Sequence, residues 1–336
     1  MSRFHPNRTV EPLFEAAAQW RKVALESAGS IFGPGEVWSD ANLASLKWHF
    51  VENPDEGEGR FLEKLKRQLL PAPKGTNQLA AEMTWFMLLC PSNIGITNKR
   101  ETVETIWSWS DQPIDRDSHW LSDAVLAGAG SAGTAFNTQR WRELRFFVGF
   151  IEAFRKLESE PRVAILADGW KFATWINDVQ DAGSRQLRHM MLYLMFPDDF
   201  ERVFGRSDRR RIIRAFTAIS DSRAASLSPL EIDRQLKTIR DAQEEKFQTK
   251  ELDFYSPPLE EIWQPAEPPV EVEADVTSEF SELAKAMRHD HVLQAIREVD
   301  RDGFPHEARS TVNRRPTLTS NRRPTLTRGR RAISAS

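Results

Sequence analysis

The sequence predicts a mainly α, multi-helix globular domain over residues 8–255, followed by an acidic linker, a short helical unit and a disordered arginine-rich tail. Three observations support this fold class. Apolar residues recur at intervals of three and four along most of the domain. Alternation with β-branched residues is scarce: residues 163–166 are ambiguous, and a small sheet within residues 110–136 stays an open alternative. Hydrophobic residues make up 40% of the 336, including 11 Trp and 20 Phe, which is enough apolar surface for a core.

Five helices are predicted in the first third of the chain. Ser39 is an expected N-cap for the second helix, and Asn98 with Glu101 has the spacing of a capping box for the fifth. The prolines Pro71 and Pro91 are expected to close the third and fourth. The predicted helical ranges are 10–28, a segment after residue 39, 59–70, 76–90 and 98–109.

Five more helices are predicted up to residue 247. The helix at 184–196 is mostly apolar and is therefore expected to lie at the centre of the domain. Ser228, Pro229 and Glu231 supply a cap, a first-position proline and an acidic third position for the last one. The predicted ranges are 137–157, 168–179, 184–196, 207–219 and 229–247.

The composition changes after Tyr255. Residues 256–277 combine five prolines with repeated glutamates, which is typical of an extended linker. Residues 278–306 have apolar residues spaced for one short helical unit. Residues 307–336 contain a direct repeat, NRRPTLT at 313–319 and again at 321–327, and are predicted to be disordered.

Charge is distributed unevenly along the chain. The net charge is −3, but residues 308–336 carry eight arginines and no acidic residue. Residues 1–307 therefore carry 38 basic and 49 acidic residues, a net charge of −11. The body is acidic and the tail is basic.

No complete catalytic motif is present. The glycine-rich segment GAGSAGT at 128–134 lacks the lysine of a phosphate-binding loop, so a turn between two helices is the expected structure. Pro197-Asp198 and Glu244-Glu245-Lys246 match a metal-dependent nuclease motif in letters only, since the second lies in a strongly helical run. We therefore expect no enzymatic activity.

No metal site or cofactor is predicted either. The seven histidines form no pair at helical spacing for zinc. The single cysteine, Cys90, excludes a disulfide within the chain and lies in an apolar run, so a buried, unreactive thiol is expected.

A basic helix is the first candidate site. Arg206, Arg209, Arg210, Arg211 and Arg214 follow Phe204-Gly205, and Arg206, Arg210 and Arg214 share one side of a helix, a geometry suited to DNA phosphates. The alternative is a solvated face whose arginines pair with neighbouring acidic residues, namely Asp198, Asp199, Glu201 and Asp208.

The tail is the second candidate. Arg314, Arg315, Arg322 and Arg323, in the repeat, are candidate contacts to nucleic acid. Binding to the acidic linker, or a tail with no function, are the alternatives.

Tryptophans suggest an aromatic cage as a further alternative. Trp107 and Trp109 look exposed in the sequence pattern, although packing in the core explains most tryptophans here.

We expect a cytoplasmic protein without a membrane partner. No apolar segment follows the first residues, and no apolar stretch approaches the roughly 18 residues of a membrane span.

Several ordered segments resemble a known family. They are GSAGTAFNT at 130–138 followed by WREL at 141–144, RQLRHMMLYLMFPDDFER at 185–202, RRRIIRAF at 209–216 and DFYSPPL at 253–259. Together, over roughly residues 80–263, they are similar to the region that precedes the AAA+ motor in bacterial McrB-like proteins. The resemblance implies a role in defence against foreign, often modified, DNA, upstream of a nucleotide-driven motor and a partner nuclease.

A second segment, VLQAIREVDRDGFP at 292–305, looks like the start of a small head domain of McrA- and McrB-like restriction proteins. In that family a hairpin with a Tyr-Pro-Pro-Lys-like segment would follow, whereas this chain continues into the arginine repeat. No catalytic residue of the family can be assigned here.

Three functional hypotheses follow. The first is a non-catalytic module of a McrB-like restriction system that senses DNA or assembles with a separate AAA+ ATPase or nuclease subunit. The second is a protein–protein adaptor without DNA binding. The third is a truncated or frameshifted gene product without function.

Overall fold

The computed structural model describes residues 3–264. This part of the chain contains fifteen α-helices, joined by loops and short helical turns. This part contains no β-strand, and an isolated bridge between Pro91 and Gly130 is its one β-type pairing. The predicted mainly α class is confirmed, and the alternative of a sheet in residues 110–136 is wrong. The ambiguous residues 163–166 end a helix.

The helices are α1 (Glu11–Trp20), α2 (Asp40–Leu46), α3 (Phe61–Leu69), α4 (Lys74–Leu89), α5 (Ile96–Ser108), α6 (Asp123–Leu126), α7 (Gly133–Thr138), α8 (Arg140–Arg155), α9 (Ser159–Leu166), α10 (Gly169–Ile176), α11 (Gln186–Met195), α12 (Arg206–Phe216), α13 (Asp221–Ser226), α14 (Pro229–Phe247) and α15 (Glu260–Trp263).

Two helices continue in an unusual form. Helix α1 passes into a π-helical segment, Arg21–Ser27, and α2 into another, Lys47–Glu52. The first of these completes the predicted helix at 10–28. π-Helical turns are rare and frequently occur at functional sites.

Helix caps account for several boundaries. The Ser39 hydroxyl accepts from the backbone N–H of Asn42, and Ser228 forms a complete capping box with Glu231. Both predictions are confirmed. The predicted box at Asn98 is wrong, because α5 begins at Ile96 with Gly95 as its N-cap.

The glycine-rich segment forms a tight connection between α6 and α7. Gly128 has φ +82°, and a Cβ there would lie 2.8 Å from the carbonyl oxygen of Pro91. The backbone N–H of Ala129 donates to the Cys90 carbonyl at 2.8 Å, and Ser92 donates to the Gly130 carbonyl at 2.8 Å. The glycines therefore permit close backbone approach, in agreement with the expected turn.

A large hydrophobic cluster is built from buried residues of all the helices from α1 to α11. Helix α4 is buried on nearly all sides, and in α11 every residue from Leu187 to Leu194 is buried. The predicted central position of α11 is confirmed. Cys90 is fully buried at the end of α4, and burial raises the pKa of its thiol, as expected for an unreactive cysteine.

A second, smaller hydrophobic cluster joins α12, α14 and α15. Leu259 and Trp263 are buried in it, and the Trp263 indole N–H donates to the Phe254 carbonyl at 2.6 Å. The packing of α15 on this cluster shows that the compact part of the described chain continues past residue 255. The rest of the predicted linker, the helical unit at 278–306 and the tail at 307–336 lie outside the described residues.

Candidate functional site

Helix α12 carries the candidate arginines. Gly205 precedes its first turn, Asp208 lies within that turn, and Arg214 lies in the last turn, so both charges suit the helix dipole. Ile212 and Ile213 face the second hydrophobic cluster and fix which side of the helix is exposed.

Arg209 lies on the inner side of α12. It is 2% exposed, pairs with the Asp233 carboxylate on α14, and donates to the Val203 carbonyl at 3.1 Å. Its assignment as a phosphate contact is therefore wrong. The reason is its spacing of three and four residues from Ile212 and Ile213, which places it on the apolar side.

Arg206, Arg210 and Arg214 lie on the outer side, where Arg210 is half-buried and the other two are exposed. Arg206 is exposed and forms no ion pair with any residue in 3–264. Arg210 donates to the Ala225 carbonyl at 2.7 Å, and Arg214 pairs with Asp221. The last two contacts attach α12 to α13.

Arg211 is exposed and lies over an aromatic ring. Its guanidinium carbon is 5.2 Å from the centroid of the Trp263 ring on α15. Its Nη2 also donates to the Trp263 carbonyl oxygen at 3.5 Å, so both contacts attach the Arg211 side chain to α15.

The four acidic residues considered as partners form no ion pair with the α12 arginines; they are Asp198, Asp199, Glu201 and Asp208. Asp198 pairs with Arg3 at 2.8 Å, Glu201 with Arg240 at 2.7 Å, and Asp208 accepts from the Tyr255 hydroxyl at 3.0 Å. Asp199 forms no ion pair within residues 3–264, and desolvation by burial raises the pKa of its carboxyl group. The alternative pairing is therefore not the observed one.

A layer of buried charges lies under α12, and the sequence patterns did not predict it. Asp233 binds two guanidinium groups, those of Arg209 and Arg188, the latter at 2.8 Å. Arg188 also donates to the Asn177 side-chain oxygen at 2.8 Å. The ion pairs Glu201–Arg240 and Arg202–Asp253 extend the layer.

Two charged residues at apolar helix positions could have indicated this layer from the sequence. Arg188 interrupts the apolar run of α11, and Asp233 follows the buried Ile232 on the apolar side of α14. Charges at apolar positions are almost always paired when buried. His189 lies in the same layer, and burial together with Arg209 and Arg188 lowers its pKa well below the ordinary value.

The remaining candidates are placed as follows. Arg314, Arg315, Arg322 and Arg323 lie outside the described residues. Trp107 is 1% exposed and donates to the Pro113 carbonyl at 3.2 Å, so its expected exposure is wrong; Trp109 is half-buried. The exposed indoles among residues 3–264 are those of Trp48 and Trp141.

Within residues 3–264, no three His, Cys, Asp or Glu side chains come together as a metal-binding group. None of the helices described is long and apolar enough to cross a bilayer.

Comparisons with protein-family models, with curated proteins and with solved structures give no match to this chain.

Proposed function

We propose that the chain is a non-catalytic module of a McrB-like restriction system and that it contacts DNA phosphates through the outer side of α12. The observation that carries the proposal is the placement of Arg206, Arg210 and Arg214 on one side of a helix whose other side is fixed by Ile212 and Ile213. Guanidinium groups bind phosphates in a planar, bidentate geometry.

The existing contacts of these arginines are compatible with this role. Arg206 has no ionic partner to displace among residues 3–264. The Arg214–Asp221 pair is exposed, and exposed pairs contribute about 0–1 kcal/mol, so a phosphate can replace the carboxylate at small cost.

A protein–protein adaptor is the competing function. The net charge of −11 over residues 1–307 favours it, because an acidic body repels DNA at long range and attracts a basic partner.

The test is a titration of duplex DNA at about 50 and about 200 mM salt. The full-length chain is compared with Arg206→Glu/Arg214→Glu. The matched control is Arg234→Glu on α14, since Arg234 is also exposed and its guanidinium has no partner among residues 3–264. A fourth protein has Arg314, Arg315, Arg322 and Arg323 replaced by serine.

We expect the α12 variant to lose at least about tenfold in affinity and to show a salt slope smaller by about 2, since each phosphate contact contributes about 0.9. The Arg234 variant keeps its affinity. Unchanged binding by the α12 variant contradicts the site, and binding that disappears only with the tail arginines assigns DNA contact to the tail. No binding by any of the four proteins favours the adaptor.

A further inference from the structure

A groove lies on a different part of the body from α12. It has a volume of about 570 Å³ and is lined by the end of the π-helical segment Lys47–Glu52, by α3 and by the first half of α8. Small-molecule sites typically occupy about 300–1,000 Å³. The groove is therefore large enough for a ligand the size of a nucleotide.

The groove has an aromatic surface. Phe50 and Phe61 form part of its wall, and the Trp141 indole is 43% exposed beside them. Arg142 lies over the Trp141 ring, with its guanidinium carbon 5.0 Å from the ring centroid. An exposed tryptophan at a groove wall provides a flat surface on which a planar ring can stack.

Two cationic side chains line the same groove. Lys64 and Arg145 form no ion pair or hydrogen bond with their side chains among residues 3–264. Two carboxylates also line it: Asp55, already bound to Arg67 at 2.8 Å and to the Gly57 N–H at 2.8 Å, and the exposed Glu56. Arg67 is the main cationic partner of Asp55, with a weaker electrostatic contribution from Lys64, so Glu56 is the carboxylate of the lining without a cationic partner in the described part of the chain.

The groove wall is built as a fixed structure. The Gln68 side-chain amide donates to the carbonyl oxygens of His49, Phe50 and Asn53, at 3.2, 3.3 and 2.9 Å. These contacts satisfy carbonyls at the end of the π-helical segment. They hold Phe50 and the loop that follows it before any ligand binds, which reduces the entropic cost of binding.

We propose that this groove binds a nucleotide, with the base stacked on Trp141 and the phosphate held by Lys64 and Arg145. A planar ring that carries an anion matches both halves of the wall. The positive charges of Lys64 and Arg145 would repel a cationic ligand. Sites for cationic ligands consist of aromatic side chains without such charges beside them. The bound group is either a free mononucleotide or an unpaired nucleotide within a single strand.

The proposal is independent of α12, because none of the groove residues lies on that helix. Its test uses isothermal titration of the full-length chain with AMP, GMP, CMP and TMP, with adenosine and inorganic phosphate as half-ligands, and with single-stranded and duplex oligonucleotides.

The variants are Trp141→Ala and Lys64→Gln/Arg145→Gln. The matched controls are Trp48→Ala, an indole that is 57% exposed and outside the groove, and Lys66→Gln, exposed on α3. All the replaced side chains lie on the surface, so we expect unchanged circular dichroism and thermal unfolding.

We expect at least one mononucleotide to bind more tightly than adenosine or phosphate alone. Trp141→Ala should weaken binding by roughly 5- to 150-fold, the range for loss of a base–aromatic stack, and the double variant should abolish most of its salt dependence. The two control variants should bind like the unmodified chain.

Binding of mononucleotides that depends on Trp141 supports a free-nucleotide site. Dependence on Trp141 seen only with single strands supports capture of an unpaired nucleotide. The proposal is overturned if neither mononucleotides nor single-stranded oligonucleotides bind. It is also overturned if they bind and neither Trp141→Ala nor Lys64→Gln/Arg145→Gln changes their affinity. Duplex binding lost only in the α12 variant concerns the proposed function and not this groove.

Discussion

Glu82 is a fully buried carboxylic acid on α4, surrounded by hydrogen-bond donors. Its Oε1 accepts from the Ser30 hydroxyl at 2.5 Å and the Ile31 N–H at 2.8 Å, and its Oε2 from the Trp38 indole at 2.5 Å. These contacts join the loop after the first π-helical segment to α4. Burial outweighs the donors and raises the pKa of Glu82 from 4.5 to about 7.

We predict a pH-dependent contribution of Glu82 to stability. Because its folded-state pKa exceeds its unfolded-state value, the contribution is complete below about pH 4.5 and is lost as the pH rises through about 7. Between pH 5 and pH 8 the free energy of unfolding should fall by about 2–3 kcal/mol relative to Glu82→Gln, which cannot titrate. Urea unfolding at both pH values measures this difference.

Glu101→Gln on α5 is the control, because Glu101 is exposed. It should change stability by less than about 0.5 kcal/mol at either pH. Parallel pH profiles for Glu82→Gln and the unmodified chain would contradict the raised pKa.

At the scale of single elements, the clearest difference from the sequence pattern concerns α15. The prolines after Tyr255 are typical of a linker, yet α15 packs on α12 through Trp263. Composition describes the average behaviour of a segment, whereas α15 is held by specific contacts, among them the buried Trp263 ring and the hydrogen bond of its indole N–H to the Phe254 carbonyl.

We predict that Trp263→Ala destabilises the second hydrophobic cluster. Truncation of a buried tryptophan typically costs about 3–5 kcal/mol, and Trp263 is 3% exposed. Hydrogen exchange of α12 and α15 should therefore accelerate, while that of α4 should change less. Ile262→Ala, at a side chain that is 40% exposed, is the control and should leave exchange nearly unchanged.

The helices themselves were largely predictable. Ser39 and Ser228 cap helices as expected, because a cap depends on residues within three positions of each other. The start of α5 was not, because the helix begins at Ile96, where Gly95 and not Asn98 is the N-cap.

Over residues 3–264 as a whole, two hydrophobic clusters meet a buried layer of ion pairs. The layer joins α11, α12 and α14 through Arg188, Arg209 and Asp233. Burying charges costs free energy that the pairing only partly offsets, so we expect the layer to stabilise the fold less than an apolar layer of similar volume would.

We predict strong non-additivity in this layer. Asp233→Asn should cost about 3–5 kcal/mol, because it leaves two buried guanidinium groups without a carboxylate. The triple variant Arg188→Met/Arg209→Met/Asp233→Leu should cost less than that single change. Asp241→Asn, which breaks an exposed pair with Lys237 on the same helix, is the control and should cost less than about 1 kcal/mol. A triple variant less stable than Asp233→Asn would contradict this account.

The sequence by itself determined the α class, most helix positions, two of the caps and the burial of Cys90. All of these depend on the helical period or on residues close together in the chain. Only the tertiary structure decided that Asp233 pairs with Arg209 and with Arg188, the latter 45 residues away, and that Trp141 lies beside Phe50 and Phe61 in one groove. The helical period tells which residues share a side of a helix, whereas the identity of the element that packs against that side depends on contacts between distant parts of the chain.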